Sequence, residues 1–145
     1  MKRLLPVVLF FAVAPGFGCT RNTALSTTPS TVASSSESVI ATAYRNRSSN
    51  IQVEGEGRVV KLLADDYEGS KHQRFILRLG SGQTLLVSHN IDIAARVSGL
   101  REGDHVSFNG EYEWNAKGGV IHWTHRDPTG RHLPGWIKHS GRTIQ

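Results

Sequence analysis

The sequence predicts an all-β fold, a small five-stranded barrel that follows a polar N-terminal segment. From Ile51 onward, runs of alternating apolar and polar residues are separated by turns rich in Gly, Asp, Asn and Ser. This pattern is typical of strands with one buried face. No apolar stretch after Ile51 has the length and the 3.6-residue period of an ordinary helix. A chain of 145 residues is long enough for one domain.

The first 18 residues have the layout of a secretory signal peptide. Lys2 and Arg3 precede an apolar run at positions 4–14, and small residues then lead to Cys19. The run is shorter than the roughly 20 residues that span a bilayer. Cys19 is the one cysteine of the chain, so no disulfide framework is possible within the mature domain.

The junction at Cys19 resembles the lipobox of bacterial lipoproteins, in which an acylated cysteine follows small residues. The resemblance implies cleavage before Cys19, a lipid anchor on its thiol and an exported protein of the bacterial envelope. Thr20 at the next position implies the outer membrane. An ordinary cleaved signal that leaves a free thiol is the alternative. Residues 19–50 are rich in Ser and Thr and poor in large apolar residues, which predicts a disordered linker between the anchor and the domain.

Five strands and one short helix are predicted between residues 51 and 125. The strands are the runs 51–66, 72–80, 83–90, 105–114 and 120–125, and the helix covers 91–100. Alternation gives buried faces to the second and fourth strands, formed by Phe75, Leu77, Leu79, Val106, Phe108, Tyr112 and Trp114. Five strands with a short helix between the third and fourth follow the order of the oligonucleotide/oligosaccharide-binding barrel, the OB-fold. The predicted domain covers residues 51–145 and includes a C-terminal extension beyond the barrel.

Two further resemblances support this interpretation. The phrase GLREGDHVSFNGEY, residues 99–112, resembles the approach to the fourth strand in OB barrels. The segments RFILRLGSGQTLLVSHNID, GEYEWNAKGGVIHWTH and GWIKHSG are similar to those of a family of exported bacterial proteins of unknown function, over about residues 51–142. The resemblance implies an exported OB-like domain, and it implies no particular activity because this fold hosts many functions.

A C-terminal span, HWTHRDPTGRHLPGWIKHSGR from His122 to Arg142, concentrates the residues that carry chemistry. It holds four of the seven histidines and two of the three tryptophans. The net charge of the chain is +5, but residues 51–113 carry seven basic and ten acidic side chains, whereas residues 114–145 carry five and one. A basic tail with aromatic residues suits an anionic partner such as nucleic acid or an acidic glycan, and a solvated tail fits the same charge.

The residue types in this span allow two kinds of reactive site. The first is a metal site. The sequence does not identify a cofactor, but zinc or another divalent metal would be held by His122, His125, Asp127, His132 and His139. His122 and His125 point to opposite sides of a strand, so a shared metal requires the strand to end near Thr124. Alternatively, His125 or His132 is the base and Arg131 the phosphate clamp of a nuclease or phosphodiesterase. Separate structural roles for the histidines remain the third alternative.

A binding module for an anionic or polymeric ligand, either nucleic acid or glycan, is the function that the sequence favours, with the hydrolase as the alternative. The sequence does not decide whether the protein is an enzyme. The predicted ligand contacts are Arg74, Arg78, His89, Asn90, Trp136 and Lys138. Trp136 is expected either to stack on a base or sugar ring or, together with Leu133 and Ile137, to cap an open barrel end. Trp123 is expected in the core or barrel wall.

Overall fold

The structure, a computed structural model, describes the backbone of residues 30–145 and the side chains of residues 36–145. The predicted signal peptide, Cys19 and the first part of the predicted linker lie outside the described residues. The described chain forms one helix and seven strands: α1 (Ser30–Asn46), β1 (Ile51–Leu62), β2 (His72–Arg78), β3 (Thr84–Asn90), β4 (His105–Glu113), β5 (Val120–His122), β6 (Trp136–His139) and β7 (Arg142–Ile144). Helix α1 does not have the length and apolar character needed to cross a membrane.

The first five strands form a closed barrel, as the sequence predicts. Hydrogen-bonded neighbours follow the order β1-β2-β3-β5-β4, and β4 returns to β1 to close the sheet. Strands β3 and β5 run parallel, whereas β1 pairs antiparallel with both β2 and β4. The length of β1 follows from these two partners, because its first part pairs with β4, its last part pairs with β2, and Arg58 faces both.

The core is built from the inward faces of these strands. Buried and less buried residues alternate along β2, β3 and β4, which confirms the predicted faces. Phe75, Leu77, Phe108 and Tyr112 are fully buried. Removing such apolar surface from water is the main force that stabilises the barrel, at roughly 25 cal/mol per Å². The same alternation turns the polar residues of these strands outward, so the barrel wall has a polar outer surface.

The helix lies before the first strand and not between the third and fourth, where the sequence placed it. Residues 91–94 and 98–99 form turns, residues 95–97 have no regular structure, and side chains bind two backbone amides of this segment. The Asn90 side chain accepts a hydrogen bond from the amide of Asp92, and the Gln73 side chain accepts one from the amide of Val97. A helix would need the amide of Val97 for its own bond to the carbonyl oxygen of Ile93. The bond between Asn90 and Asp92, in contrast, is one that a helix start also uses.

Part of the segment 19–50, which was predicted to be a disordered linker, forms helix α1 (Ser30–Asn46). Ile40 and Ala43, three residues apart on one face, are buried against the barrel. This apolar stripe stabilises a helix whose Ser-rich composition alone predicts none. Glu37 adds a polar contact, because its two carboxylate oxygens accept hydrogen bonds from the amides of Gly80 and Ser81 in the β2–β3 turn.

The C-terminal extension is a hairpin that widens the barrel wall. Strand β6 pairs antiparallel with β4, and β7 pairs with β6. Ser140 and Gly141 join them with φ values of 48° and 75°, as a two-residue turn with two left-handed positions requires. Of the three residues expected to cap the barrel, Ile137 is fully buried in the core, Trp136 is half-buried and Leu133 is exposed.

Candidate functional site

A cleft of about 250 Å³ opens on the outer surface of the barrel. It lies where β2 begins and where β3 and β5 end, because β3 runs antiparallel to β2 and parallel to β5. Its wall consists of two hydroxyls, one amide, three imidazoles and one indole, from Ser70, Ser88, Asn90, His72, His122, His125 and Trp123. Among the described residues, no Lys, Arg, Asp or Glu side chain lines this cleft.

The backbone turns sharply at Trp123, directly after β5. Trp123 has a φ of 50°, a left-handed conformation that costs a bulky residue roughly 1–3 kcal/mol and persists only where its surroundings hold it. Gly135 supplies that support. Its amide donates to the carbonyl oxygen of His125 at 3.0 Å, and a Cβ at this position would collide with the carbonyl oxygen of Trp123. With the strand ended at His122, both His122 and His125 border the cleft.

The indole ring of Trp123 makes contacts on both sides of this turn. It stacks on the imidazole of His132, with ring centroids 3.6 Å apart, and lies 5.5 Å from the ring of His125. His132 in turn approaches Glu111, with 3.4 Å between Nδ1 and Oε2. Trp123, which was expected in the core or barrel wall, lies in the turn directly after β5 and borders the cleft.

His125 presents a hydrogen-bond acceptor to the cleft. Its Nδ1 lies 2.9 Å from the carbonyl oxygen of Arg126, so Nδ1 carries the proton and donates. Its Nε2 has no hydrogen bond within the described residues, and no fully buried side-chain nitrogen or oxygen among them lacks a partner. Nε2 therefore reaches the open space of the cleft, although the residue as a whole is only 2% exposed.

His89, a predicted ligand contact, lies inside the barrel and does not line the cleft. The residue is fully buried. Its Nε2 donates to the carbonyl oxygen of Ala95 at 2.9 Å, so Nδ1 accepts from the hydroxyl of Thr124 at 2.8 Å. Loss of hydration on burial is the main reason why the pKa of His89 is lowered to about 4. The ring is consequently neutral near pH 7. Its bond to Thr124 joins β3 to the turn after β5, and its bond to Ala95 joins β3 to the loop that follows it.

Two polar residues complete the wall near the strand ends. His122 lies 3.3 Å from Glu113, measured between Nε2 and Oε2. Burial lowers the pKa of His122, and the nearby carboxylate of Glu113 opposes that shift. Asn90, a predicted ligand contact, does border the cleft.

The other predicted ligand contacts do not line the cleft. Arg74 donates to the carbonyl oxygen of Ala64 and pairs with Asp66 at 3.2 Å. Arg78 is exposed at the far end of β2. Trp136 and Lys138 pair with each other on β6, with Nζ 4.2 Å from the ring centroid.

The five residues expected to share a metal do not converge. His139 on β6 binds Asp104, the residue directly before β4, with 2.8 Å between Nε2 and Oδ2. The carboxylate of Asp127 accepts hydrogen bonds from the loop that follows it, foremost from the amide of Thr129, and these bonds lower its pKa. Within the described part of the chain, no three His, Cys, Asp or Glu side chains are placed to hold one ion.

The residues expected to cleave a phosphodiester are likewise not assembled. His125 and His132 both contact the ring of Trp123. Arg131 is exposed, and its backbone amide donates to Asp127. Its guanidinium makes no hydrogen bond or ion pair to any other residue that the structure describes, so nothing positions it as a clamp beside either imidazole.

Sequence reasoning missed three residues of the wall, Ser70, His72 and Ser88. Alternation along the third strand does turn Ser88 outward. The register between strands, in which His72 faces Asn90 and Arg74 faces Ser88, is what brings these side chains together. That register is set by pairing between distant segments and has no signature within either strand.

The chain belongs to a family described as protein of unknown function, DUF3465, whose sequence profile matches residues 22–145. The match covers α1, the barrel and the C-terminal hairpin. A search of curated proteins found no match to the chain. The predicted membership of a family of unknown function is therefore confirmed.

Proposed function

We propose that the protein is a binding module that holds a glycan chain in the cleft on the outer surface of β2, β3 and β5. The observation that carries this proposal is a wall of hydroxyl, amide, imidazole and indole groups that includes no fixed charge. Hydroxyl and amide groups both donate and accept hydrogen bonds, as sugar hydroxyls do. The indole of Trp123 adds an apolar surface of the kind that orients a ring in a binding pocket.

The hydrogen-bond polarity of His125 favours a sugar over a phosphate. In the neutral imidazole, whose proton is on Nδ1, Nε2 is an acceptor. A sugar hydroxyl can donate to that atom directly, whereas an ionised phosphate oxygen can only accept and would require a further proton on Nε2.

The absence of cations from the described wall also favours a glycan over a nucleic acid. Nucleic-acid affinity depends largely on Lys and Arg side chains that neutralise phosphates. Two exposed cations of the tail are engaged elsewhere, since Arg126 binds Gln145 and Lys138 covers Trp136.

The size of the cleft supports a polymeric ligand. Pockets that enclose a whole small molecule measure roughly 300–1,000 Å³, and this open cleft is smaller, at about 250 Å³. A cleft of this size fits one segment of a chain that continues across the barrel surface on either side.

To test this proposal, the full-length protein is titrated separately with chitohexaose, maltohexaose and a twelve-residue oligothymidylate. Binding is monitored in ¹H–¹⁵N NMR spectra. We expect a hexasaccharide to shift the indole N–H of Trp123 and the amide of Ser88 in a saturable way. The affinity should change little between low and moderate salt. Oligothymidylate binding at these residues that weakens steeply with salt would instead identify a nucleic-acid module.

A matched pair of variants assigns any binding to the cleft. Ser88→Ala removes one wall hydroxyl and should weaken hexasaccharide binding by roughly fivefold, since one hydrogen bond contributes about 1 kcal/mol. Ser107→Ala makes the same change on β4, outside the cleft, and should leave the affinity unchanged. Equal affinities in the two variants would contradict the proposal.

We further propose that the module works in the bacterial envelope, held by a lipid on Cys19. The signal-like residues 1–18 and the cysteine directly after them support this location. Labelled palmitate should be incorporated into the wild-type chain in a bacterial host, and Cys19→Ser should abolish the incorporation. A label that persists in Cys19→Ser would rule out this anchor.

A further inference from the structure

We propose a second site, for a phosphate group, at the other end of β2 from the glycan cleft. Three basic side chains lie in one row across adjacent strands: Arg78 on β2, Arg58 on β1 and His105 on β4. Arg58 faces Arg78 directly in one antiparallel register and faces His105 in the other. All three residues are exposed.

This row is unfavourable for the fold by itself. Like charges directly opposite each other on neighbouring strands destabilise a sheet. Arg78 has no hydrogen bond or ion pair to any other residue that the structure describes. A bound anion between Arg78 and Arg58 would relieve the repulsion and gain two charge-assisted contacts.

The guanidinium of Arg58 is held in a fixed orientation. One of its terminal nitrogens donates to the carbonyl oxygen of Gly103, and the other lies 3.1 Å from Nε2 of His105. Since a guanidinium only donates, Nε2 of His105 is the acceptor. A planar donor group fixed in this way loses little freedom when it binds an oxyanion, which favours recognition of phosphate.

A cavity of about 390 Å³ adjoins the row, and two carboxylates also border it. Glu37 is engaged by the amides of Gly80 and Ser81 at 2.7 and 2.9 Å, which compensate part of its charge. Glu56 is exposed and lies on the same outward face of β1 as Arg58. Its charge opposes an anion, so we expect modest affinity that increases when Glu56 is neutralised.

The site is separate from the cleft. His72, at the cleft, and Arg78, in the row, are the two ends of β2. Six residues along a strand span about 20 Å. Phosphate binding can therefore be tested without regard to the glycan proposal, and the failure of one leaves the other intact.

The experiment titrates the full-length protein with inorganic phosphate and follows the amides of Arg58, Arg78 and His105 by NMR. We expect saturable shifts in the wild type. Arg78→Gln should weaken binding by about tenfold, the effect of losing one charge-assisted contact. Arg142→Gln, which removes an exposed arginine from β7, is the matched control and should bind like the wild type.

Two further variants show whether weaker phosphate binding in Arg78→Gln comes from the lost charge or from misfolding. Arg78→Lys keeps the charge and should retain most of the affinity. Glu56→Gln should bind phosphate about threefold more tightly, since one nearby like charge is removed. Linear, unsaturable shifts, or equal affinities in Arg78→Gln and Arg142→Gln, would overturn the proposal.

Vesicles then distinguish the two sources of phosphate. Phosphatidylglycerol vesicles that bind the wild type more strongly than Arg78→Gln, with no such difference on phosphatidylcholine, would identify a lipid headgroup. Saturable binding of inorganic phosphate without this vesicle difference would identify a soluble phosphorylated ligand. Both results support a phosphate site at the row.

Discussion

The indole of Trp123 lies on the imidazole of His132, with ring centroids 3.6 Å apart and ring planes 13° apart. Trp123 belongs to the turn after β5, and His132 belongs to the loop that leads to β6. The stack therefore ties the barrel to the C-terminal hairpin. It also fixes the orientation of an indole that borders the cleft, at a residue whose left-handed backbone already requires external support.

Replacing His132 should destabilise the protein by removing this stack. We expect His132→Ala to lower the free energy of unfolding by about 1 kcal/mol, the usual contribution of an aromatic pair. His132→Phe keeps a ring on the indole and should recover most of that loss. Urea unfolding followed by tryptophan fluorescence measures both. An equal loss in the two variants would show that the contact between His132 and Glu111 is the stabilising one.

Replacing Thr124 should expose the dependence of the fold on the buried pair of His89 and Thr124. Thr124→Val keeps the shape of the side chain but leaves Nδ1 of His89 without a donor. A buried polar atom left unpaired costs about 1–3 kcal/mol, and urea unfolding should show a loss of that size. Thr143→Val, at an exposed position of β7, is the control and should have little effect. Equal stabilities in the two variants would contradict the inferred hydrogen bond.

The stability of the protein should fall as the pH decreases from about 6.5 to 4. Burial lowers the pKa of His89 from 6.5 to about 4, so within this range the unfolded chain takes up a proton that the folded chain does not. The contribution of the neutral His89 ring to the free energy of unfolding is therefore fully present above pH 6.5 and is lost as the pH falls to about 4. A shift of this size corresponds to a loss on the order of 3 kcal/mol. The lowered pKa of His122 acts in the same direction.

Two measurements check this pH dependence. Urea unfolding at several pH values should give a smaller pH slope in His89→Gln, which cannot be protonated there. NMR titration of the His89 ring in the wild type should give a midpoint well below 6.5, and a midpoint at 6.5 would contradict the expected shift.

The pair of Asp104 and His139 should control the attachment of the C-terminal hairpin. The amide of Arg101 and the imidazole of His139 lower the pKa of Asp104, so the stabilisation is present above the ordinary carboxyl pKa and is lost as the pH falls below it. Asp104→Asn should speed amide hydrogen exchange in β6 by about fivefold. Exchange in β2 and β3 should stay as in the wild type. Glu54→Gln, an exposed carboxylate on β1, is the control, and similar exchange in the two variants would contradict the role of the pair.

Much of the barrel could be predicted because alternation is a local signal. Phe75 and Leu77, or Val106 and Phe108, reveal their buried face within a few residues of sequence. Helix α1 could not be recognised in this way. Its order depends on contacts of Ile40 and Ala43 with the barrel, and its Ser-rich composition is typical of disorder.

The candidate site was predicted only in part, and for a related reason. The His-rich span does contribute His122, Trp123 and His125 to one cleft. Its other histidines bind partners that are distant in sequence, as His139 does with Asp104 and His132 does with Glu111. His132 and His139 therefore do not line the cleft, although they belong to the same span of sequence as the residues that do.

The short last strand, β7, affects how readily separate molecules of this protein associate through their sheet edges. Closure of the barrel leaves β7 with an unpaired side in the described sheet, and β7 has only three residues, of which Arg142 and Thr143 are exposed. Long, flat, uncharged edges recruit strands from neighbouring molecules, whereas short edges with a charge do not. Crowded copies should therefore remain separate molecules and resist aggregation through strand addition.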